Sequence, residues 1–242
     1  MSEFLAGPAY VMAGFRLILR PGVRAFVFVP LLINALLFAG AITFGADAVG
    51  DLSHRLSSQW AWAEWLTWLL WPLFIIVVLL VGFFFFSVLA NLLGAPFNGF
   101  LAEAVERSLT GAAPPGSGLA LPAEIAASIR TEARKVLYFA WRAVPLLLLF
   151  LVPLVQVIAP FLWVGFGAWM MAVEYLEYPM NNHGRLFPEV RATLRERRAL
   201  ALGFGAAVLL LTLIPVVNFI AMPVAVAGGT KLWVERLRPA AP

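Results

Sequence analysis

The sequence of 242 residues has no cysteine and only two histidines, His54 and His183. Without cysteine there is no disulfide, no thiolate metal site and no cysteine nucleophile. The histidines lie in separate polar stretches and form no H-E-x-x-H pair, and no glycine-rich phosphate loop follows a strand pattern. Nothing here assembles a nucleophile with a base, or a metal site, so the chain is not expected to be an enzyme or to hold a cofactor. Charge is scarce too: 12% of residues are charged and 62% apolar, against about 25% and 45–50% in soluble domains. That balance excludes an ordinary soluble domain. No basic run interleaved with aromatics marks a nucleic-acid module, so no nucleic-acid partner is expected.

The longest absence is of charge itself. Trp65 to Ala102 runs 38 residues without Asp, Glu, Lys or Arg. As one helix it would reach roughly 57 Å, twice a hydrocarbon core of about 30 Å. Its first part, Trp65–Leu89, is almost wholly apolar and is expected to span a membrane. Its second, Asn91-Leu-Leu-Gly-Ala-Pro-Phe-Asn98-Gly99, carries helix-breaking residues and two amides. Such groups need protein or water around them.

The remaining chain reads as one membrane domain. Residues 1–24 carry Arg16, Arg20 and Arg24, with Val11, Phe15 and Ile18 near helical spacing, the pattern of an interfacial helix lying on the membrane. Residues 25–45 form a first span, retained rather than cleaved, because its basic flank and apolar core are longer than those of a signal peptide. Residues 47–64 are polar and net negative, and meet a belt of Trp60, Trp62 and Trp65. Residues 65–90 form the second span. Residues 91–142 form a cytoplasmic helical region, and 122–141 read as an amphipathic helix with a basic face. Residues 143–173 and 199–230 are two further apolar blocks.

Of the 17 Lys and Arg, all but Arg55 lie outside residues 47–64. Basic loops stay in the cytoplasm, so both termini, residues 103–142 and residues 174–198 are expected there. The third and fourth blocks must then leave and return on one side. Each carries a matching interruption, Pro153-Leu-Val-Gln156-Val-Ile-Ala-Pro160 and Pro215-Val-Val-Asn218-Phe-Ile-Ala-Met-Pro223. The apolar arms beside them look short of the about 20 residues a span needs. The expectation is an all-α integral membrane protein with two long transmembrane helices, two partially penetrating (re-entrant) helical hairpins and an N-terminal interfacial helix. Paired broken segments of this kind mark substrate sites in transporters.

Two groups of residues could act on a ligand. Arg20-Pro-Gly-Val-Arg24 opens a helix, where free N–H groups and arginine forks suit a tetrahedral oxyanion. The same residues also suit anchoring to lipid headgroups. Asn91, Asn98, Glu103 and Arg107 could line a polar passage. Glu103 and Arg107 stand i,i+4, which also fits a plain surface ion pair. Asn34, Gln156 and Asn218 are lone amides in apolar segments, expected to make interhelical hydrogen bonds.

Several passages carry a resemblance. Pro21-Gly22-Val23-Arg24, Asn91-Leu-Leu-Gly-Ala-Pro-Phe-Asn-Gly-Phe-Leu-Ala-Glu103, Leu109-Thr-Gly111, Glu177-Tyr-Pro-Met-Asn-Asn-His183 and Ile220-Ala-Met-Pro-Val-Ala-Val226 resemble the bacterial sulfate permease family CysZ, in order and over nearly the whole chain. The resemblance implies sulfate passage through the bacterial inner membrane toward cysteine synthesis. It also implies assembly as a dimer or a ring of dimers, with sulfate held at Gly22, Val23 and Arg24. Relatives often carry a second Arg at the next position. This chain has Ala25 there, which makes Arg20 the candidate for the second charge. The expected partners are sulfate, with sulfite as a candidate regulator, the lipid bilayer and further copies of the chain. The rival reading is a non-transporting scaffold or regulator that binds sulfate or anionic lipid. Nothing in the spans supplies a buried acid for proton coupling, which favours passive flow.

Overall fold

Apolar runs this long can bury their backbone polar groups in lipid only as helices, and helices are what the computed structural model contains. It describes residues 2–59, 64–116 and 121–239; for residues 34, 37–38, 56–57, 59, 64–67, 79, 81–96, 121–125 and 128 it describes the backbone alone. Eight α-helices and no strand occur among the described residues: α1 Ser2–Leu17, α2 Ala25–Gln59, α3 Glu64–Thr110, α4 Leu121–Leu148, α5 Ala159–Asn181, α6 Phe187–Glu196, α7 Arg198–Thr212 and α8 Pro215–Leu232. Short 3-10 turns lie at Leu149–Leu151 and Val155–Val157, and a π-turn at Trp233–Leu237 follows α8.

The chain divides into two bodies, residues 28–97 and residues 1–27 with 98–242. The first holds most of α2 and the start of α3. Gly45 of α2 faces the Phe74 ring of α3 closely enough that a Cβ there would strike it. Apolar side chains face outward on both helices, among them Phe28, Leu36, Phe44, Trp68 and Ile75. An aqueous surface would not tolerate a belt of this extent; lipid does.

Both helices are longer than the spans read from the sequence. α2 continues fourteen residues past Gly45, because Ala, Leu, Arg and Gln in that stretch favour helix and no proline stops it. α3 runs 47 residues, about 70 Å, through Gly94, Pro96 and Gly99. One proline removes a single hydrogen bond from a long helix, which membrane helices tolerate. Asn34, Asn91, Trp60 and Trp62 lie outside the residues whose side chains are described.

The second body is built on close helix crossings. α1 crosses α7 and α8, and α7 crosses α5. Each crossing places glycine against backbone: Gly7 against Phe204, Gly203 against Phe4, Gly14 against Val224, Gly228 against Tyr10, and Gly205 against Ala168. Val11 and Ile18, read as the membrane-facing side of α1, are buried on protein instead. Phe4, Leu5 and Met12 are the large apolar residues α1 leaves exposed, and Leu19 just after it is exposed as well.

α4 and α5 pair side by side and run antiparallel. Phe139 stacks on Phe166 at 5.5 Å, and Trp169 Nε1 donates to Tyr138 Oη at 3.1 Å. The reversal falls at 149–158, where Leu154 takes φ +70°. α7 and α8 are parted at Leu213–Ile214. The arms are not uniformly short. Ala159–Asn181 and Pro215–Leu237, each 23 residues, are long and apolar enough to cross a membrane among the described residues. Proline at the first turn of α5 and α8 starts a helix instead of ending one, so these arms gain length that the sequence reading denied them. Gln156 and Asn218 sit exposed at the two breaks and make no side-chain hydrogen bond among the described residues, unlike the interhelical bonds expected of them.

Candidate anion-binding turn and cavity

Between α1 and α2 the chain passes through a turn over residues 18–24. Gly22 takes φ +84°, a conformation that only glycine adopts freely. The Arg20 carbonyl accepts hydrogen bonds from the Val23 and Arg24 amides, each 3.1 Å. The Val23 side chain is buried at 1% exposure and pins the turn to the protein. The amides of Gly22 and Ala25 have no backbone acceptor among the described residues. Arg20 and Arg24 are exposed and form no ion pair among them. Of the turn's donors, those two amides and two guanidinium groups remain for a ligand, while the Val23 amide is already committed.

Pro21 and Gly22 line a cavity of about 460 Å³ together with Phe26 of α2 and Phe100, Glu103 and Arg107 of α3. The structure therefore joins two groups of residues that lie some eighty positions apart in sequence. Arg107 Nη2 donates to Glu103 Oε1 at 2.5 Å. Only part of the Arg107 fork is used, since guanidinium has five N–H donors. Asn98 is not in this cavity. It is 5% exposed, and its Nδ2 lies 3.2 Å from Met222 Sδ of α8.

Two buried polar clusters escaped the sequence reading. Glu106, at 1% exposure, accepts from His183 Nε2 at 2.8 Å and from Arg238 Nη1 at 3.2 Å. The signal was present: Asn98, Leu101, Ala102, Val105 and Glu106 follow the i, i+3, i+4, i+7, i+8 stripe of one helix face, so Glu106 falls among apolar positions. Lys135 of α4 reaches Glu132 at 2.9 Å, Glu174 at 2.9 Å and Glu177 at 3.2 Å. Burial disfavours the Lys135 charge, but Glu177 and Glu174 outweigh it and hold its pKa above the ordinary lysine value. Both clusters tie helices together and stand apart from the cavity. No group of three metal-ligating side chains occurs among the described residues.

The sequence model of the family described as "Sulfate transporter CysZ/Etoposide-induced protein 2.4" matches residues 10–223. This chain belongs to that family. Among curated proteins, "Sulfate transporter CysZ" of Pseudomonas fluorescens is 48% identical over 237 residues, covering 96% of this chain and 94% of its own. The protein of the same name from Pectobacterium atrosepticum is 43% identical over 236 residues, covering 96% and 86%. That from Salmonella typhimurium is 43% identical over 233 residues, covering 95% and 92%. The CysZ match takes in the Pro21–Arg24 turn, the cavity, the Lys135 cluster and both helix breaks, while Arg238 lies beyond it. The names these CysZ relatives carry are those of a transporter and not of an enzyme.

Proposed function

We propose that this chain is a sulfate permease, which admits sulfate for reduction and incorporation into cysteine. The observation that carries the reading is the Pro21–Arg24 turn, where, among the described residues, Arg20 and Arg24 stand without acidic partners and the amides of Gly22 and Ala25 without backbone acceptors. It belongs to a chain whose relatives are named sulfate transporters. Sulfate is captured there by amide and guanidinium donors, and Val23 contributes by anchoring the turn. The ion then passes toward Arg107, whose spare donors line the same cavity. Asn91 remains a candidate for the passage. Asn98 supports α3 from inside the protein.

The membrane placement follows from charge. α2 and α3 span, with their ends projecting beyond the hydrocarbon. The α4–α5 and α7–α8 pairs dip into the membrane and return, because basic residues flank both pairs at their open ends. Their breaks expose only apolar residues and single amides, including Leu151, Leu154, Val216 and Phe219. α1 rests at the cytoplasmic interface with Leu5 and Met12 toward lipid. Both termini are cytoplasmic and the membrane is the bacterial inner membrane. Gln156 and Asn218, without a side-chain hydrogen bond among the described residues, find acceptors in a second copy of the chain, consistent with a dimer or a ring of dimers.

The test is uptake of labelled sulfate into proteoliposomes, wild type beside Arg24→Ala. Uptake that falls at least tenfold in a folded variant supports capture at the turn. No uptake by folded wild type would overturn the permease and leave a sulfate-binding scaffold or regulator.

A further inference from the structure

A second cavity, of about 450 Å³, lies between α4 and α6, away from the Pro21–Arg24 turn. Three guanidinium groups border it, from Arg134, Arg142 and Arg191. None of them forms an ion pair among the described residues, nor does the neighbouring Arg195. Arg142 and Arg191 are both held over the Tyr138 ring, 4.1 and 4.7 Å from its centre. Arg191 also lies 5.8 Å from the Phe187 ring centre. Its Nε is buried and has no hydrogen-bond acceptor among the described residues. Burial, then Arg195 and Arg142, push its pKa down, with Tyr138 opposing. Like charges gathered at one place, one with an orphaned buried donor, are costly unless an anion joins them.

The walls decide which anion. Leu137, Tyr138, Trp141 and Phe187 supply apolar surface, and Leu137 and Trp141 are 69% and 76% exposed. A small free oxyanion would meet hydrocarbon on most sides. A phospholipid brings both halves of the match, a phosphate for the arginine forks and a chain for the exposed leucine and indole. Tryptophan beside arginine on a surface helix is the usual composition of a headgroup-level contact. Tyr138 is fixed for this role by the Trp169 hydrogen bond and by edge packing on Phe187 at 5.5 Å.

We propose that the α4–α6 cavity binds the phosphate of an anionic phospholipid, with an acyl chain along Leu137 and Trp141. Arg142 and Arg191 form the fixed part of the site and Arg134 its exposed rim. The site is independent of the sulfate reading, since it shares no residue with the turn.

The experiment is native mass spectrometry of the delipidated full-length chain, titrated with phosphatidylglycerol or with phosphatidylcholine. Wild type should hold phosphatidylglycerol at least tenfold more tightly. Arg134→Gln should weaken that by about fivefold, the equivalent of about 1 kcal/mol per basic residue near an anionic headgroup, and Arg142→Gln/Arg191→Gln should abolish the preference. Phosphatidylcholine binding should not change. Arg134 is exposed and touches neither ring, so its variant keeps the test decisive if the double variant fails to fold. Equal affinity for the two lipids, or an unaltered preference in folded Arg134→Gln, overturns the proposal. Displacement of phosphatidylglycerol by millimolar sulfate overturns it as well, because the site would then select an oxyanion without using the chain.

Discussion

Replacing Lys135 with Met tests how far one buried cation holds the α4–α5 pair together. Lys135 is 11% exposed and touches three carboxylates, of which Glu177 is only 4% exposed. Met matches the length of the stem and removes the charge. Among the described residues Glu177 then keeps a single side-chain hydrogen bond, from Asn181 Nδ2 at 3.5 Å, and faces Glu174 and Glu132 without the cation they shared. Removing one partner of a buried ion pair costs about 3–5 kcal/mol. At about 2–4 °C per kcal/mol for a chain of this size, Tm should fall by roughly 10 °C. The assay is thermal unfolding in one detergent, read by intrinsic fluorescence. Lys135→Met/Glu177→Gln should recover more than half of the loss, since the orphaned charge is the main cost. The pH dependence has a definite sign. A lysine whose folded pKa is raised contributes stability that is complete below its unfolded pKa, about 10.4, and is lost as pH rises through the higher folded value. The gap between wild type and variant should therefore close in strong alkali, where Lys135 itself loses its proton, and narrow in acid, where protonation of Glu177 removes the unpaired charge. A variant within about 2 °C of wild type, or a double variant no better than the single, would refute this account of the cluster.

Other perturbations reach other parts of the molecule. Gly205→Val places a branched side chain on the Ala168 carbonyl and should abolish a monodisperse peak in fluorescence-detected size exclusion, whereas Gly40→Ala, which meets nothing, should leave the peak intact. Gly22→Ala has room for its methyl but must hold φ +84°. It should cost about 1–2 kcal/mol at the turn and weaken sulfate-dependent thermal protection more than overall stability. Ala25→Arg places a second arginine beside Arg24 and adds a charge-assisted contact. Half-saturation of sulfate uptake should move several-fold lower. His183→Ala leaves Glu106 buried with Arg238 alone and should cost about 1–3 kcal/mol, while Arg238→Ala, with His183 still in place, should cost less than about 1 kcal/mol in the same unfolding assay.

The amino-acid order by itself determined a good part of this protein. An apolar content of 62% and a 38-residue run without charge leave helices in lipid as the outcome, because no other open structure satisfies the backbone there. Arg20-Pro-Gly-Val-Arg24 was legible as a turn with free donors, since proline and glycine dictate backbone angles locally. The helix ends were less legible. α2 runs to Gln59 and α3 passes Pro96 because a polar residue or a lone proline weakens a helix without ending it. Only tertiary structure decided what meets what. It put Arg107 beside Gly22, turned Asn98 inward to Met222, and used the Val23 amide within the turn. It also set six glycines against neighbouring backbones, Gly229 against Tyr175 being the sixth, a closeness that sequence cannot announce, since glycine also stands where nothing approaches. Glu106 and Lys135 carry charge into the interior because partners from distant helices converge on them. Periodicity can show that such a residue faces inward, and only the packing shows what waits there.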